Sequence, residues 1–381
     1  MSTDKLLNEN FFVEQTEASK IKSKIVSKYL DGWSLIIGSW APKLVYADFF
    51  AGCGRYGDGS PSTPLEAISN VANRPKLRGR MQMVFNEYRG EFCEQLKENI
   101  REHEQARHLG YPPIIQNKDF QDSPALELLR EWLGLKRHDS LPPSLVFIDP
   151  WGYKGLSLSH LGDILKNKGC EVIFFFNYNR INSALNNPFM KEHMVVLFGQ
   201  EKLQDLRDKL SLVIKNPPMR EAIIIQAVKE VLQISVSPKP AYVQEFKFKK
   251  VNRVSHYVIF ATTHPKGFGL MKDIMALESA SYYDGLPTYQ YNKNSSRQMS
   301  LFGGLIPLGE KLTKFFAGQT VSVLDIYERH QVTGPYTCKN YKDALLWLEE
   351  HNQILASPER SKRRTNKGSP TMGDPTMITF R

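Results

Sequence analysis

Two acidic residues each close an apolar run. Asp48 ends Leu44-Val45-Tyr46-Ala47 and is followed by Phe49-Phe50-Ala51-Gly52-Cys53-Gly54-Arg55-Tyr56-Gly57-Asp58-Gly59. Asp149 ends Leu145-Val146-Phe147-Ile148 and is followed by Pro150-Trp151-Gly152-Tyr153. A carboxylate is out of place in a core, so each acid either pairs locally or faces a cleft. Behind Asp48, the four glycines let the backbone turn and approach a ligand without Cβ atoms in the way. Gly52 to Gly57 fits G-x-G-x-x-G, a weak match by itself. A dinucleotide site needs a helix to open at the third glycine. Here the loop continues from Asp58 to Thr63, and the next helix signal is Pro64. A carboxylate directly before the glycines also repels a pyrophosphate. It suits a cationic, hydroxyl-bearing ligand, and S-adenosylmethionine is both. An NAD site and a plain structural turn are the alternatives.

Positioning these residues takes a series of strands and helices. Leu44 to Phe50 reads as a buried parallel strand, short, apolar and bounded by turn signals. A helix is expected from about Pro64 to Asn73, then a strand over Met81 to Phe85 ending in Asn86-Glu87. Glu87 there is suited to accept hydrogen bonds from two ribose hydroxyls. The span from Asp48 to Glu87 exceeds the customary ~20 residues, which requires an enlarged first crossover. Arg89 to Arg107 reads as a charged helix and Tyr111 to Gln116 as a short strand leading to Asn117-Lys118-Asp119-Phe120. Asp119 is a candidate acceptor for an adenine amino group and Phe120 a cover for the ring; an N-cap or turn is the equal alternative. Ser123-Pro124 starts a helix to about Leu135, and Gly169 to Phe176 is a further strand. Four strand–helix alternations, each strand ending in polar residues, predict a doubly wound parallel sheet with its ligand at the carboxyl ends.

Ahead of the first strand, Glu17 to Trp40 is helical. Ile21, Ile25, Tyr29, Trp33, Ile36 and Ile37 share a face, and Lys20, Lys22, Lys24 and Lys28 lie mostly off it. That basic flank either touches phosphate or is a solvated face. Residues 183–237 are mainly helical, an insertion for substrate recognition or a structural cover. Tyr242 to Lys249 and Ser255 to Thr262 predict an antiparallel hairpin closing the sheet. Its Lys247, Lys249, Lys250 and Arg253 are candidate phosphate contacts, or the lysine defence of an edge strand. A polar, turn-rich stretch follows from Asp284 to Ser300. Three helices (Gly309 to Phe316, Ser322 to His330, Thr337 to Glu350) and two strands (Ile354 to Ala356, Met377 to Phe380) then resemble a winged helix. Between the strands, Arg360, Lys362, Arg363 and Arg364 suit a nucleic-acid backbone; a solvated loop is the alternative. The expected domains are a helical lead-in over 1–40, an α/β domain over 41–283 with the insertion, a linker over 284–304, and a winged-helix-like domain over 305–381.

The totals bound the function. Across 381 residues the formal net charge is +10 and the isoelectric point near 9.2, a mild argument for a polyanionic partner, with a soluble basic protein as the plain alternative. Cys53, Cys93, Cys170 and Cys338 lie far apart with no C-x-x-C pair. That argues against a zinc site or disulfide framework and fits a reducing cytosol. No signal peptide is evident, and no apolar run reaches the ~18 residues of a membrane span. A cytoplasmic protein without a metal site or a membrane partner is expected.

Asp149-Pro150-Trp151-Gly152-Tyr153 resembles the fourth motif of amino-methyltransferases, usually Asp/Asn-Pro-Pro-Tyr/Phe. An exocyclic amine of a base is a poor nucleophile because its lone pair is delocalised into the ring. Asp149 and the Pro150 carbonyl can accept its two hydrogens and aim the lone pair, while Trp151 or Tyr153 stacks on a flipped or single-stranded base. The enzyme then supplies mainly alignment and a drier, preorganised pocket. Cys53, in the first motif, is not read as a cytosine-attacking thiol.

As a whole the chain resembles the class I S-adenosylmethionine-dependent methyltransferases and, more narrowly, the three-Cys-motif partner family. The matching stretches are the helix before Trp40, Asp48 to Gly59 with Pro64-Leu65, Phe85-Asn86-Glu87, Phe147 to Gly152, and Tyr257 to Gly267 with Met271-Lys272-Asp273. The resemblance implies a Rossmann-like, mostly parallel sheet with a C-terminal antiparallel hairpin. It implies S-adenosylmethionine held around Asp48 and Gly52 with Glu87 on the ribose; Phe50, Ala51, Gly54, Asp119 and Phe120 complete the expected lining. It also implies a partner protein with a three-cysteine, radical-SAM-like motif. Trp-Gly departs from the Pro-aromatic pair and is closer to the tRNA guanine-N2 dimethyltransferases, which leaves the target base open. The competing functions are a non-catalytic module that recruits nucleic acid for a partner enzyme, and a small-molecule or protein methyltransferase.

Overall fold

The computed structural model describes residues 16–120, 123–150, 155–250, 253–283, 286–292, 305–366 and 368–381. The chain divides into two units, Met1–His264 and Pro265–Arg381.

The first unit begins with helix α1 (Glu17–Gly38), whose N-terminus is capped by the Thr16 side chain accepting from the Ser19 N–H. Five strands then run parallel: β1 (Leu44–Asp48), β2 (Met81–Asn86), β3 (Ile114–Gln116), β4 (Ser144–Ile148) and β5 (Glu171–Phe176). A hairpin of β6 (Tyr242–Lys250) and β7 (Arg253–Thr262) follows, with β7 antiparallel to β5. Within this unit the order is β3-β2-β1-β4-β5-β7-β6. This is the mostly parallel α/β sheet with a C-terminal antiparallel hairpin that the sequence predicts. Every residue of β1, β2 and β4 is buried, and so these strands read as continuous apolar runs rather than alternating ones.

The chain passes outward from β1 to β2 and β3, then returns to place β4 on the other side of β1. Strand order therefore reverses between β1 and β4, where open α/β sheets form a crevice outside the strand ends. In register, Asp48 of β1 lies opposite Phe85 of β2 and Phe147 of β4.

Helices α2 (Thr63–Ala72), α3 (Gly90–Glu102), α4 (Ala125–Trp132) and α5 (Leu158–Leu165) connect these strands. The long excursion before β6 forms α6 (Tyr178–Ala184), α7 (Lys191–Phe198), α8 (Gln200–Ser211) and α9 (Pro217–Ser235). Part of it is structural cover. Ile224, Val228 and Leu232 of α9 are buried, and a Cβ on Gly162 of α5 would stand 2.2 Å from the Ser235 Cβ. Buried Glu171, opening β5, accepts hydrogen bonds from the Tyr29 hydroxyl of α1 and from Thr262 Oγ1 of β7 at 2.7 Å. Burial pushes its carboxyl up to about 7 against the pull of those two donors.

The second unit contains α10 (Pro265–Leu277), α11 (Leu305–Phe315), α12 (Val323–His330) and α13 (Cys338–Glu350). Its small antiparallel sheet has the order β8-β10-β9, with β8 Thr320–Ser322, β9 Ile354–Ser357 and β10 Met377–Phe380. The three helices and two strands expected here are present; β8 is an addition. Thr337 and Asn340 form a capping box at the start of α13. The boundary falls before Pro265, earlier than the 283 expected from the polar stretch. Local packing explains it: Lys272 of α10 is buried and donates to the carbonyls of Gln331 and Gly334 (2.6 Å to the latter). Gly269 meets Tyr327 so closely that a Cβ would come within 2.8 Å of the ring. Among the described residues, no helix is long and apolar enough to cross a membrane.

Candidate active site at the ends of two adjacent strands

Of the four glycines after β1, Gly52, Gly54 and Gly59 take positive φ and Gly57 does not. Gly52 and Gly54 adopt φ of +65° and +88°, the left-handed region that glycine enters without strain. A Cβ on Gly54 would stand 3.1 Å from Leu96 Cδ1. Backbone and side-chain hydrogen bonds pin the loop to its neighbours. The Ala51 N–H donates to the Asn86 carbonyl (2.9 Å), the Gly52 N–H to Glu87 Oε2 (2.9 Å) and Asn99 Nδ2 to the Cys53 carbonyl (2.7 Å).

Asp48 is 1% exposed. Its Oδ1 accepts the Phe50 N–H at 3.1 Å, and its Oδ2 has no hydrogen-bond partner among the described residues. Burial lifts this carboxyl to about 8; the Phe50 N–H and Lys22 pull it down, and Asp149 and Glu87 push it up. An orphaned acceptor in a dry position is costly and fits a site completed by a cation or hydroxyl.

Glu87, also buried, accepts the Gly52 N–H on one oxygen and the Arg89 N–H on the other (2.8 Å). Burial raises its pKa while those two N–H groups hold it down. Each carboxylate oxygen keeps a second lone pair for a hydroxyl. Asn86, which sequence reading passed over in favour of its neighbour, ties three strand ends together. Its Nδ2 donates to the Phe49 and Lys118 carbonyls (3.1 Å each) and its Oδ1 accepts the Lys118 N–H (3.0 Å). Phe50 is half-buried and Ala51 buried. Phe120 is 5% exposed, its ring 5.3 Å from that of Phe49 and 5.2 Å from that of Phe50, with Asp119 half-buried beside it.

Asp149 follows β4, next to β1. Pro150 is buried, and the Asp149 side chain is one-fifth exposed. Trp151 and Tyr153 lie outside the described residues. Asp149 is not alone. Lys22 of α1, buried, donates from Nζ to Asp149 Oδ2 in an ion pair, with Nζ 5.1 Å from the centre of the Phe175 ring. Burial lowers the Lys22 pKa, but Asp149, Tyr56 and Asp48 more than offset it and keep the ammonium charged. The same cation, after burial, helps hold His256 down at about 3.

Lys22 therefore belongs to the site rather than to a basic flank. It continues the row Val26, Leu30 and Trp33, all buried, at the i+3 and i+4 spacings of one helix face; that row was the available signal. Ser23 beside it reaches Thr63 of α2 (Oγ to Oγ1, 3.1 Å). Ile36, expected on the apolar face, is 37% exposed.

One member of each candidate phosphate-binding cluster is closely ion-paired with a neighbouring glutamate. Lys247 is ion-paired with Glu221 of α9, while Lys249 is half-buried and Lys250 and Arg253 are exposed. Arg363 is not a surface contact. Its side chain is 3% exposed, ion-paired with Glu349 of α13 and 3.0 Å from Met372 Sδ, so the guanidinium clamps the small unit together. Arg360, Lys362 and Arg364 are exposed, the first two with loose ion pairs to Glu350 (3.7 Å) and Glu359 (3.9 Å).

A family model described as a GMT-like wHTH domain matches residues 288–361. The C-terminal unit carries a winged helix-turn-helix. No curated protein matches the chain in sequence. Solved structures similar to it include the O-methyltransferase TomG of Streptomyces achromogenes in complex with SAM (11% identity, covering 68% of this chain and 94% of that one, TM-score 0.31). Others are a precorrin-6y C5,15-methyltransferase of Geobacter metallireducens (13% identity, 61% and 86% covered, TM-score 0.26) and the methyltransferase domain of bacterial CtHen1-C (8% identity, 62% and 98% covered, TM-score 0.30).

Proposed function

We propose that this chain is an S-adenosylmethionine-dependent methyltransferase acting on nucleic acid, at an exocyclic amine of a base. The observation that carries the proposal is the placement of Asp48 and Asp149 at the carboxyl ends of the two adjacent strands flanking the reversal of strand order. The donor set suits the cofactor: Asp48 Oδ2 is buried and has no partner among the described residues, and the loop beyond it turns on Gly52 and Gly54. Asp48, Phe50, Ala51, Gly52 and Gly54 would hold it, with Glu87 on the ribose and Asp119 and Phe120 at the adenine end. When bound, S-adenosylmethionine supplies a methyl group already activated on a sulfonium. The chain's own residues then bind, orient and exclude water. Asp149 and the Pro150 carbonyl accept the hydrogens of the amine, and Trp151 or Tyr153 stacks on its ring.

The winged helix-turn-helix supports nucleic acid as substrate. Its exposed Arg360, Lys362 and Arg364, with Lys250 and Arg253 of the hairpin, would contact phosphates. By resemblance, a three-cysteine, radical-SAM-like protein is the partner and the cytosol the location.

One observation favours a second reading, a catalytically silent nucleic-acid-binding scaffold: Lys22 already occupies Asp149. Incubation with tritiated S-adenosylmethionine and mixed DNA and RNA separates the two. Label transferred to nucleic acid, and lost in Asp149→Ala, is the expected result. Cofactor binding without transfer to either polymer, with nucleic acid retained only by binding, overturns the proposal.

A further inference from the structure

We infer that Lys22 determines which base the site accepts, favouring an amine that sits beside an unprotonated ring nitrogen. The inference rests on the proposed methyl transfer and carries it to a substrate class. A carboxylate with both oxygens open is a fork of two acceptors. It matches an edge with two neighbouring donors, such as the N1–H and N2–H of guanine. In this chain the Lys22 ammonium takes Asp149 Oδ2, and among the described residues nothing donates to Oδ1, which is left as the acceptor. An ammonium carries three protons, so two remain beyond the one given to Asp149. The pair therefore offers an acceptor next to a donor. Adenine, with N6 beside N1, and cytosine, with N4 beside N3, present the complementary donor and acceptor. Guanine would set its N1–H against a cation that also only donates, and a buried donor facing a donor is rejected more strongly than a missing contact is.

Lys22 is held in a fixed place beside Asp149. It is 7% exposed and lies against the Phe175 ring. Asp149, one-fifth exposed, remains within reach of a ligand. The Asp-Pro-Trp-Gly run alone resembles a guanine-N2 enzyme; the lysine contributed by α1 points the other way.

The test uses the full chain, S-adenosylmethionine and single-stranded oligonucleotides, as DNA and as RNA. Each strand offers only adenine, only cytosine or only guanine in a thymine or uracil background, and the methylated nucleosides are resolved by mass spectrometry. The wild-type protein is expected to prefer the adenine or the cytosine strand over guanine by about 100-fold or more. Lys22→Met, similar in length but uncharged, should bring that ratio within about tenfold, and Lys22→Arg should retain the preference. A merely structural lysine would change the rate and leave the ratio alone. Guanine methylation by the wild type, or an unchanged ratio in Lys22→Met, overturns the inference and leaves the methyltransferase reading standing. Where Lys22→Met does not fold, the ratio is read from Lys22→Gln, which is also uncharged but keeps a polar end, and an unchanged ratio there overturns the inference equally. Transfer to no strand at all overturns both.

Discussion

Asp48 and Asp149 end neighbouring parallel strands, yet their surroundings are opposite. Asp48 is 1% exposed, holds one backbone N–H, and leaves its other oxygen without a partner among the described residues. Its carboxyl is pushed up to about 8. Asp149 is one-fifth exposed and has a buried lysine of its own. The first is a position in which an ionised carboxylate is unfavourable until a cation arrives. The second is already paired with a cation and held in orientation. A methyl donor bearing a sulfonium and a neutral base bearing an amine make those two different demands. The same residue type at two neighbouring strand ends thus sits in opposite surroundings, as the two proposed ligands would require.

The largest expected effect tests whether the two acids divide the work. Asp149→Ala should lower methyl transfer by about 100- to 10,000-fold while the S-adenosylmethionine dissociation constant, from calorimetry, stays within about twofold. An equal loss of cofactor binding would erase the distinction. The same substitution leaves Lys22 a buried, unpaired cation. Urea unfolding should record a loss of about 3–5 kcal/mol, mostly recovered in the double variant Lys22→Met/Asp149→Leu.

Asp48→Asn should show the reverse pattern. Cofactor affinity falls about tenfold, a cost near 1.4 kcal/mol, and nucleic-acid binding is unchanged. The pH dependence follows from the raised carboxyl. Below about 8 the folded, ligand-free protein holds a proton on Asp48 that the unfolded chain gives up near 3.8. That stability is fully present below the unfolded value and is lost as pH rises toward 8. Thermal melts should therefore find Asp48→Asn gaining on the wild type between pH 4 and 8. Affinity for a cationic ligand should rise over the upper part of that range as the proton leaves. A flat difference across this window would show Asp48 to be ionised throughout.

The smallest effect sharpens the contrast at the loop. Gly54→Ala places a side chain at φ +88° and 3.1 Å from Leu96, costing about 1–2 kcal/mol. It should weaken cofactor binding without altering which base is methylated, since Lys22 and Asp149 are untouched. A changed base preference would mean that the two strand ends are not separable.

Legibility was uneven in a way particular residues explain. The strands ending in Asp48, Glu87 and Asp149 were readable because burial on both faces makes parallel strands apolar throughout. The turning glycines were readable because positive φ selects for them. The winged helix-turn-helix was readable from three amphipathic helices and paired strands, although a run of four basic residues concealed that Arg363 belongs to Glu349. The row Lys22, Val26, Leu30 and Trp33 contained the evidence for a buried lysine, but a lysine among lysines reads as solvated.

The chain's own order of residues determined the kind of fold, the glycine turn and the presence of an acid at each strand end, because these depend on near neighbours and on side-chain volume and polarity. Only the tertiary structure decided that Lys22 meets Asp149, 127 residues away, while Asp48 keeps an oxygen unpaired among the described residues. The strength of a charge pair depends on separation and solvent in space. Neither is encoded by distance along the chain.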